Sequence, residues 1–448
     1  MRGWIGCAVV AAAMVGWSAA ARADGALDKP AFTASPAELL ALARAAPSRG
    51  DPRVVVLRDQ RDTSFDARGR ATVHHRRVYA VRAAIDPDED VWASVAVPWV
   101  PYYQTRPVVR ARVISPAGEV TELDPGQVRD APMIELGGRE TSDRRRLSAA
   151  LPALAPGAVV EYEIASADRD PPPVAADLAI HRLDAGVPVA STVISFSAPV
   201  ASKLRRVERG LPAGVRGRRE RSGGRERWIY ELAALQPRRL PELFAPDDAR
   251  AVPYVGAAPA VSWAAVARDY GALIDRRIAE GRFALPAELP RAAAPETITA
   301  IVAWLHHQIR DTGVELEDTT RIPRTPAETV KRGAGDGKDR ATLLVALLRQ
   351  AGIRAELVLI SATHQRDVDP DLPGISGFGR AIVRARLGGR EVWIEPGEAL
   401  LRPGQLPRLD QGRRALVIAD GTTALATTPR AASGDNVVRE VRSFTAAE

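Results

Sequence analysis

The residues best placed to carry out chemistry lie in the second half of the chain. A glycine-rich stretch, GAGDGKD at 333–339, runs directly into an apolar segment, and two polar residues follow near the ends of a pair of β-branched segments. A helix N-terminus presents free N–H groups and the positive end of a dipole, and a guanidinium donates paired hydrogen bonds to carboxylates. One interpretation of the pattern is therefore a site for a carboxylate or a peptide carbonyl, and the other is a purely structural ion pair. The candidate ligand-binding residues are Gly337, Lys338, Asp339, Arg380 and Glu395.

Helices and a β-hairpin are predicted to position these residues. Apolar residues at helical spacing predict a helix over 296–310, and a run that is apolar all round predicts a buried helix over 341–350. Gly388-Gly389 is a two-residue hairpin signal between two β-branched segments. The predicted order is helices at 263–277, 296–310 and 341–350, then strands at 355–361, 381–387 and 391–395.

The hairpin fixes which side chains can meet. A two-residue turn pairs Leu387 with Arg390, so Ile382 faces Glu395. Arg380 then lies on the same face, diagonal to Glu395 at about 7 to 8 Å between backbones, within reach of a long side chain. We therefore predict an ion pair between Arg380 and Glu395. Two interpretations stay open, a salt bridge that only holds the cleft together and a guanidinium that binds a ligand.

The N-terminal half is predicted to be rich in β-structure. A short helix is predicted over 36–45, and the β-branched runs after it are separated by turn signals such as 66–69 and 116–118. Short strands punctuated in this way are typical of a β-sandwich. The predicted strands are 54–57, 71–83, 108–115, 159–164, 193–197 and 225–232.

Several of these segments resemble a known combination of domains. VVVLRDQRDTSFDARGR, ISPAGEVTEL and LPALAPGAVVEYEI are similar to the β-sandwich of the DUF3857 family, and RGAGDGKDRATLLVALLRQAGIRAELVLIS resembles the nucleophile helix of bacterial transglutaminase-like proteins. FGRAIVRARLGGREVWIEP looks like the histidine and aspartate strands of the same papain-type fold. The resemblance implies an α+β chain with an N-terminal β-sandwich domain followed by a transglutaminase-like α+β domain. The expected boundaries are a signal peptide 1–23, a helical lead-in 24–50, the sandwich 51–242, a linker 243–262, the transglutaminase-like domain 263–427, and a tail 428–448 that resembles the start of a truncated third β domain.

All three positions of the implied catalytic triad are changed. The resemblance places Gly337 at the cysteine, Arg380 at the histidine and Glu395 at the aspartate. Glycine has no side chain to attack a carbonyl, and a guanidinium stays charged and cannot act as a base near neutral pH. Thr342 lies more than a turn inside the predicted helix, and no serine occurs between 262 and 361. We therefore expect a pseudoenzyme, with no catalytic residue.

Other kinds of site receive little support from the sequence. The single cysteine, Cys7, excludes a disulfide within the chain and a four-cysteine zinc site. The glycine-rich stretch lacks the GxxxxGK[ST] spacing of a phosphate loop, and His306-His307 is not part of an HExxH pattern. We expect neither a metal nor a cofactor.

The N-terminus and the charge distribution predict where the protein acts. Arg2, a short apolar core and an A-x-A site ending at Ala23 are typical of a secretory signal cleaved after residue 23. The expected location is periplasmic or secreted, with no transmembrane segment after signal removal and no nucleic acid as partner. Residues 203–227 carry ten basic residues and three glutamates, which suits a solvated hairpin or weak contact with an anionic envelope surface.

These observations favour a catalytically inactive, exported transglutaminase-like protein. It would act as a binding or scaffold module in the cell envelope for a peptide, a protein or a cell-wall component. The alternative is an active acyl transferase, or a peptidase or amidase, with a noncanonical site.

Overall fold

The structure is a computed structural model. It describes residues 25–46, 52–87, 90–134, 141–170, 178–183, 186–237, 252–281, 283–313, 321–361, 367–432, 434 and 439–444. The predicted signal peptide lies outside the described residues.

The N-terminal half consists of strands preceded by one helix. Helix α1 begins after Ser35, whose side chain accepts a hydrogen bond from the Glu38 N–H while Glu38 bonds back to the Ser35 N–H. The predicted helix over 36–45 is therefore confirmed. The elements are α1 Pro36–Ala45, β1 Val54–Phe65, β2 Ala71–Val81, β3 Ser94–Trp99, β4 Val108–Ile114, β5 Val120–Glu122, β6 Arg129–Ile134, β7 Thr141–Ala150, β8 Val159–Ala167, β9 Ala179–Arg182, β10 Val189–Pro199, β11 Leu204–Arg209, β12 Arg218–Ser222, β13 Arg225–Leu235 and β14 Tyr254–Pro259.

A large sheet organises this half of the molecule. Among the described residues it has eight strands in the order β12-β13-β10-β1-β2-β8-β4-β5, with β1 and β10 parallel. Helix α1 packs on one face through Leu39 and Leu40. The other face is covered by two small sheets, β3-β7-β6 and β11-β14-β9. The predicted β-sandwich is confirmed, and continuous apolar runs such as Val54–Leu57 and Val78–Val81, buried on both sides, explain why both faces are covered there.

The C-terminal half places helices against a second sheet. Its described elements are α2 Trp263–Glu280, α3 Pro295–Gln308, β15 Arg310–Asp311, α4 Pro326–Arg332, β16 Ala334–Gly335, α5 Gly337–Gln350, β17 Arg354–Ile360, β18 Arg380–Leu387, β19 Arg390–Ile394, β20 Arg414–Val417 and β21 Ala426–Thr427. The antiparallel sheet has the order β19-β18-β17-β20-β21 within the described part of the chain, and β15 pairs with β16 in parallel.

Helix α5 is the centre of this half. Its apolar side chains from Leu343 to Leu348 are buried against β17, β18 and helices α2 and α3. The hairpin turn has positive φ at both glycines, and Val383 pairs with Ile394. The predicted α+β fold, buried helix and hairpin register are therefore confirmed.

Several strands, among them β3, β7 and β20, were not predicted, and three further differences affect the organisation of the chain. Helix α4 is present in the structure but was not predicted, although the sequence contains the Thr325 and Glu328 pair that forms its capping box. Strand β14 lies in the segment predicted as a linker, where Val255 and Ala257 are buried in the sandwich core. In the tail, residues 439–444 have no regular structure and are exposed, while 435–438 lie outside the described residues.

Candidate functional site

The N-terminus of α5 is closed by an aspartate rather than left open. Asp336 is the N-cap, and its Oδ1 accepts a hydrogen bond of 3.0 Å from the Asp339 N–H. Its Oδ2 forms an ion pair with the buried ammonium of Lys338. Burial raises the pKa of Asp336, and the attraction of Lys338 opposes that rise.

Two of the predicted ligand-binding side chains are used inside the protein. Lys338 is buried and bound to Asp336. The Asp339 carboxylate is fully buried and accepts hydrogen bonds from the Arg324 N–H at 2.8 Å and from Arg324 Nη1 at 2.7 Å. A lysine and an aspartate are residue types that suit the predicted ligand site, but both side chains are buried and point into the protein.

Gly337 is placed differently from its neighbours. It is half-buried, between a buried Asp336 and a buried Lys338. A Cβ built on Gly337 has no atom within 4 Å, whereas a Cβ on Gly335 would lie 2.9 Å from Asp339 Cβ. Gly335 is therefore required by close packing, and Gly337 faces an open space at the first turn of the helix.

Arg380 is bound by a partner that the sequence reasoning did not consider. Its Nη1 lies 3.3 Å from both carboxylate oxygens of Asp410, whose side chain is completely buried. The ion pair that the structure describes for Arg380 is therefore with Asp410, while the charge of Arg380 reaches Glu395 and opposes the rise in its pKa. The hairpin register places Glu395 near Arg380 as expected, but the guanidinium turns toward the loop between β19 and β20.

The Glu395 carboxylate is held by main-chain groups. It accepts hydrogen bonds from the N–H groups of Gly397, at 3.1 Å, and Glu398. Burial raises the pKa of Glu395, while the two N–H groups and the charge of Arg380 oppose that rise. Glu395 thus caps the turn that follows β19.

A buried arginine joins this turn to helix α5. Arg340 donates from Nε to the Pro396 carbonyl at 2.9 Å, with further bonds to that carbonyl and to the Ile309 carbonyl. His306 Nε2 lies 3.1 Å from the same Pro396 oxygen. One of the two histidines at the end of α3 therefore contacts the turn that follows β19. Burial lowers the pKa of Arg340, and the charges of Asp311 and Glu395 oppose the shift. Arg340 was not among the residues predicted for the site. Its position directly after the GDGKD stretch is the feature of the sequence that could have indicated it.

The comparisons with known proteins support the two halves to different degrees. Residues 67–239 match a domain of unknown function with solved structures, DUF3857. The chain contains a DUF3857 domain. No curated protein matches the chain.

One solved structure shows the fold of most of the chain. A protein from Parabacteroides distasonis ATCC 8503, described as a putative protease, is 15% identical over 84% of this chain and 72% of that chain, with a TM-score of 0.67. At this identity the likeness shows the fold alone. A protein from Cytophaga hutchinsonii, described as a putative cysteine protease, is 11% identical over 74% of this chain and 77% of that chain, with a TM-score of 0.18.

Strands β9 and β11 of the DUF3857 domain, together with β14, hold the loop that leads into β18. Arg209 Nη2 lies 2.8 Å from Asp369 and 2.7 Å from Asp371, and the Tyr254 hydroxyl donates to Asp369 at 2.7 Å. Leu372 packs in a small apolar cluster with β11 and β14. The sheet β11-β14-β9 therefore positions the chain just before Arg380.

Half of the ten basic side chains in segment 203–227 form ion pairs. Its arginines form ion pairs with local glutamates and with acids from other strands and from the C-terminal half. The pairs are Arg206–Glu208, Arg209–Asp369, Arg218–Glu220, Arg219–Glu226 and Arg227–Asp62. The segment is therefore less cationic than its composition indicates.

Among the described residues, none of the helices is long and apolar enough to cross a membrane. Within those residues, no group of three or more histidine, cysteine, aspartate or glutamate side chains is arranged to hold a metal ion.

Proposed function

We propose that this protein is a catalytically inactive relative of the transglutaminase-like enzymes and acts as a binding module for peptides or proteins in the cell envelope. The observation that carries the proposal is the open space at Gly337, at the first turn of a helix whose counterpart in the resembling family supplies a cysteine. The site keeps the space for a side chain and lacks the nucleophile.

The residues around Gly337 support binding rather than bond cleavage. General acid-base catalysis needs a group that exchanges a proton near the operating pH, and the guanidinium of Arg380 does not. Arg380 is engaged by Asp410, and Glu395 by two backbone N–H groups. Arg380 and Glu395 are thus held by neighbouring groups, and none of the three positions carries the side chain that the family uses for catalysis.

An extended peptide suits the space at Gly337. A residue without a side chain lets a ligand backbone approach the first turn of the helix closely, beside the Asp336 cap, where the helix dipole favours a carbonyl oxygen. The predicted signal peptide would direct the protein to the periplasm or outside the cell, where peptides and cell-wall components are available. We include this location in the proposal.

Filling the space tests the binding role. We expect Gly337→Leu to weaken the binding of peptide ligands, selected from a synthetic peptide array, by at least about tenfold, since a side chain would occupy the ligand's position. Gly434→Leu is the matched control, because a Cβ there also meets no atom within 4 Å. Equal binding by both variants, or no binding of any arrayed peptide by the unchanged protein, would overturn the proposal.

A second experiment addresses catalysis directly. The unchanged protein is incubated with an N-acetylated glutaminyl-glycine dipeptide and a primary amine, beside the variant Gly337→Cys/Arg380→His/Glu395→Asp. We expect no ammonia release by the unchanged protein, because no nucleophile stands at position 337. Turnover by the unchanged protein would establish an acyl transferase or an amidase with a noncanonical site.

A further inference from the structure

A strip of polar residues crosses the covered face of the large sheet, between its two apolar clusters. Asp59 and Arg61 on β1 stand beside Arg77 and His75 on β2. Tyr162 of β8 lies next to Arg77. On one side the face is covered by β3-β7-β6 and on the other by β11-β14-β9. We call Asp59, Arg61, His75, Arg77 and Tyr162 the Arg61 crevice.

One carboxylate, that of Asp59, contacts both arginines and the histidine of the crevice. Asp59 Oδ1 lies 2.8 Å from His75 Nε2, while Oδ2 lies 3.1 Å from Arg77 Nη2 and 3.4 Å from Arg61 Nη2. Burial acts to raise the pKa of Asp59, but these partners outweigh it and hold the pKa below its usual range. Burial also lowers the pKa of His75. Asp59 is therefore ionised and His75 neutral at pH 7, which leaves one excess positive charge among the described groups.

The excess charge resides on Arg61. Its contact with Asp59 is the long one, and the described residues give its guanidinium no other hydrogen-bond acceptor. Its side chain is 28% exposed, against 18% for Arg77 and 10% for Asp59, so the crevice is open to solvent at Arg61.

The walls near Arg61 are aromatic and neutral. His181, which stacks on Phe196 at 5.3 Å between ring centroids, accepts or donates a hydrogen bond with Thr63 at 3.0 Å. Burial, followed by the charge of Arg61, lowers the pKa of His181 to about 3, so this ring is uncharged. The Tyr162 ring stands edge-on to His75 at 5.5 Å.

A charged strip of this kind is costly in the middle of a sandwich. Well-packed apolar residues at such positions are often neutral or stabilising in comparison with buried ion pairs. A guanidinium with unused donors in a partly shielded crevice attracts a counter-anion, and its planar fork matches a carboxylate. We propose that the Arg61 crevice is a binding site for a carboxylate group, separate from the cleft at Gly337.

Thermal unfolding in matched salts tests this site. The purified protein without residues 1–23 is unfolded in sodium acetate and in sodium chloride at equal ionic strength. We expect Tm to rise with the logarithm of acetate concentration and not with chloride, because a ligand that binds only the folded state stabilises it by mass action. Absence of an acetate-specific rise overturns the proposal. An equal or larger rise in sodium phosphate that Arg61→Gln abolishes overturns the assignment to carboxylates, since the part that persists in the variant is the general effect of an excluded salt.

Two variants locate the effect. Arg61→Gln is expected to weaken acetate binding by at least about tenfold, the loss of one charge-assisted hydrogen-bonded contact. Arg221→Gln, on edge strand β12 three strands away from β1, is the control and should leave the acetate response unchanged. If Arg61→Gln does not fold, the unchanged protein is titrated with acetate and separately with chloride while the NMR resonance of Arg61 Nε is followed, and acetate but not chloride should shift that resonance. An unaltered acetate response in Arg61→Gln, or an unshifted Arg61 resonance, contradicts the proposal.

Discussion

Replacement of Arg380 by alanine is expected to destabilise the C-terminal half by about 3 kcal/mol at pH 7, as for other broken buried ion pairs. Two unit charges at the 3.3 Å that separates Arg380 Nη1 from Asp410 attract by about 5 kcal/mol at an effective dielectric constant of about 20. Since the Arg380 side chain is 26% exposed, solvent screens part of this attraction. The remaining cost is that of a buried carboxylate whose remaining positive neighbour is Arg413.

The pH dependence of that cost is the distinguishing result. Burial raises the pKa of Asp410 and Arg380 opposes the rise, so the pKa should climb further in Arg380→Ala. A carboxyl group whose folded-state pKa exceeds its unfolded value stabilises the fold below the unfolded pKa, and this stabilisation is lost as pH rises through the folded pKa. The deficit of Arg380→Ala should therefore be largest at pH 7 and shrink toward about pH 4, the ordinary range of an aspartate.

The assay is differential scanning calorimetry between about pH 4 and pH 7, the range in which a raised aspartate pKa titrates. A loss of about 3 kcal/mol corresponds to roughly 6 to 12 °C in the Tm of a domain of about 150 to 250 residues. Arg390→Ala, an exposed arginine on β19, is the control, with an effect within about 0.5 kcal/mol. The double variant Arg380→Ala/Asp410→Asn should recover part of the loss. A deficit that is independent of pH, or a double variant less stable than Arg380→Ala, would refute the reasoning.

Three further outcomes are expected. Gly337→Cys in the protein without residues 1–23 should react with a thiol reagent in the native state, because the position is open. The thiol pKa should lie below about 8.5, because the position is at a helix N-terminus. Labelling only after denaturation would contradict this. Arg209→Ala removes the contacts with Asp369 and Asp371, so calorimetry should show the two halves unfolding further apart in temperature, and a single unchanged transition would count against the docking role. Glu161→Gln leaves two buried guanidinium groups without their shared carboxylate, and should cost about 3 to 5 kcal/mol in denaturant unfolding of the sandwich, with a cost below about 1 kcal/mol as the contrary result.

The local patterns of the sequence were sufficient for much of the fold. The apolar run after 341 requires burial on all sides, and Gly388-Gly389 supplies the positive φ angles of a two-residue hairpin. The hairpin register followed from the length of the turn, and Val383 faces Ile394 as the register requires. These features depend on residues close together in the chain, so composition and spacing decide them.

Other strands could not be located in this way. β14 follows a Pro-rich stretch and has only six residues, and it is a strand because β9 and β11 supply the partners for its backbone. The local sequence favours a linker, and a tertiary pairing overrides that preference.

In the candidate site too, residue types determine some properties and tertiary packing determines others. The sequence determined that Gly337 has no nucleophilic side chain, that Arg380 cannot act as a base and that Arg380 and Glu395 stand near each other on a hairpin. Only the tertiary structure decided that Arg380 binds Asp410, 30 residues away along the chain. Only the packing of the α5 terminus decided that Lys338 and Asp339 turn inward while Gly337 stays open. The physical reason is that residue type sets which protons and charges a group can carry, whereas the choice among several possible charged partners depends on which of them folding brings together and removes from water.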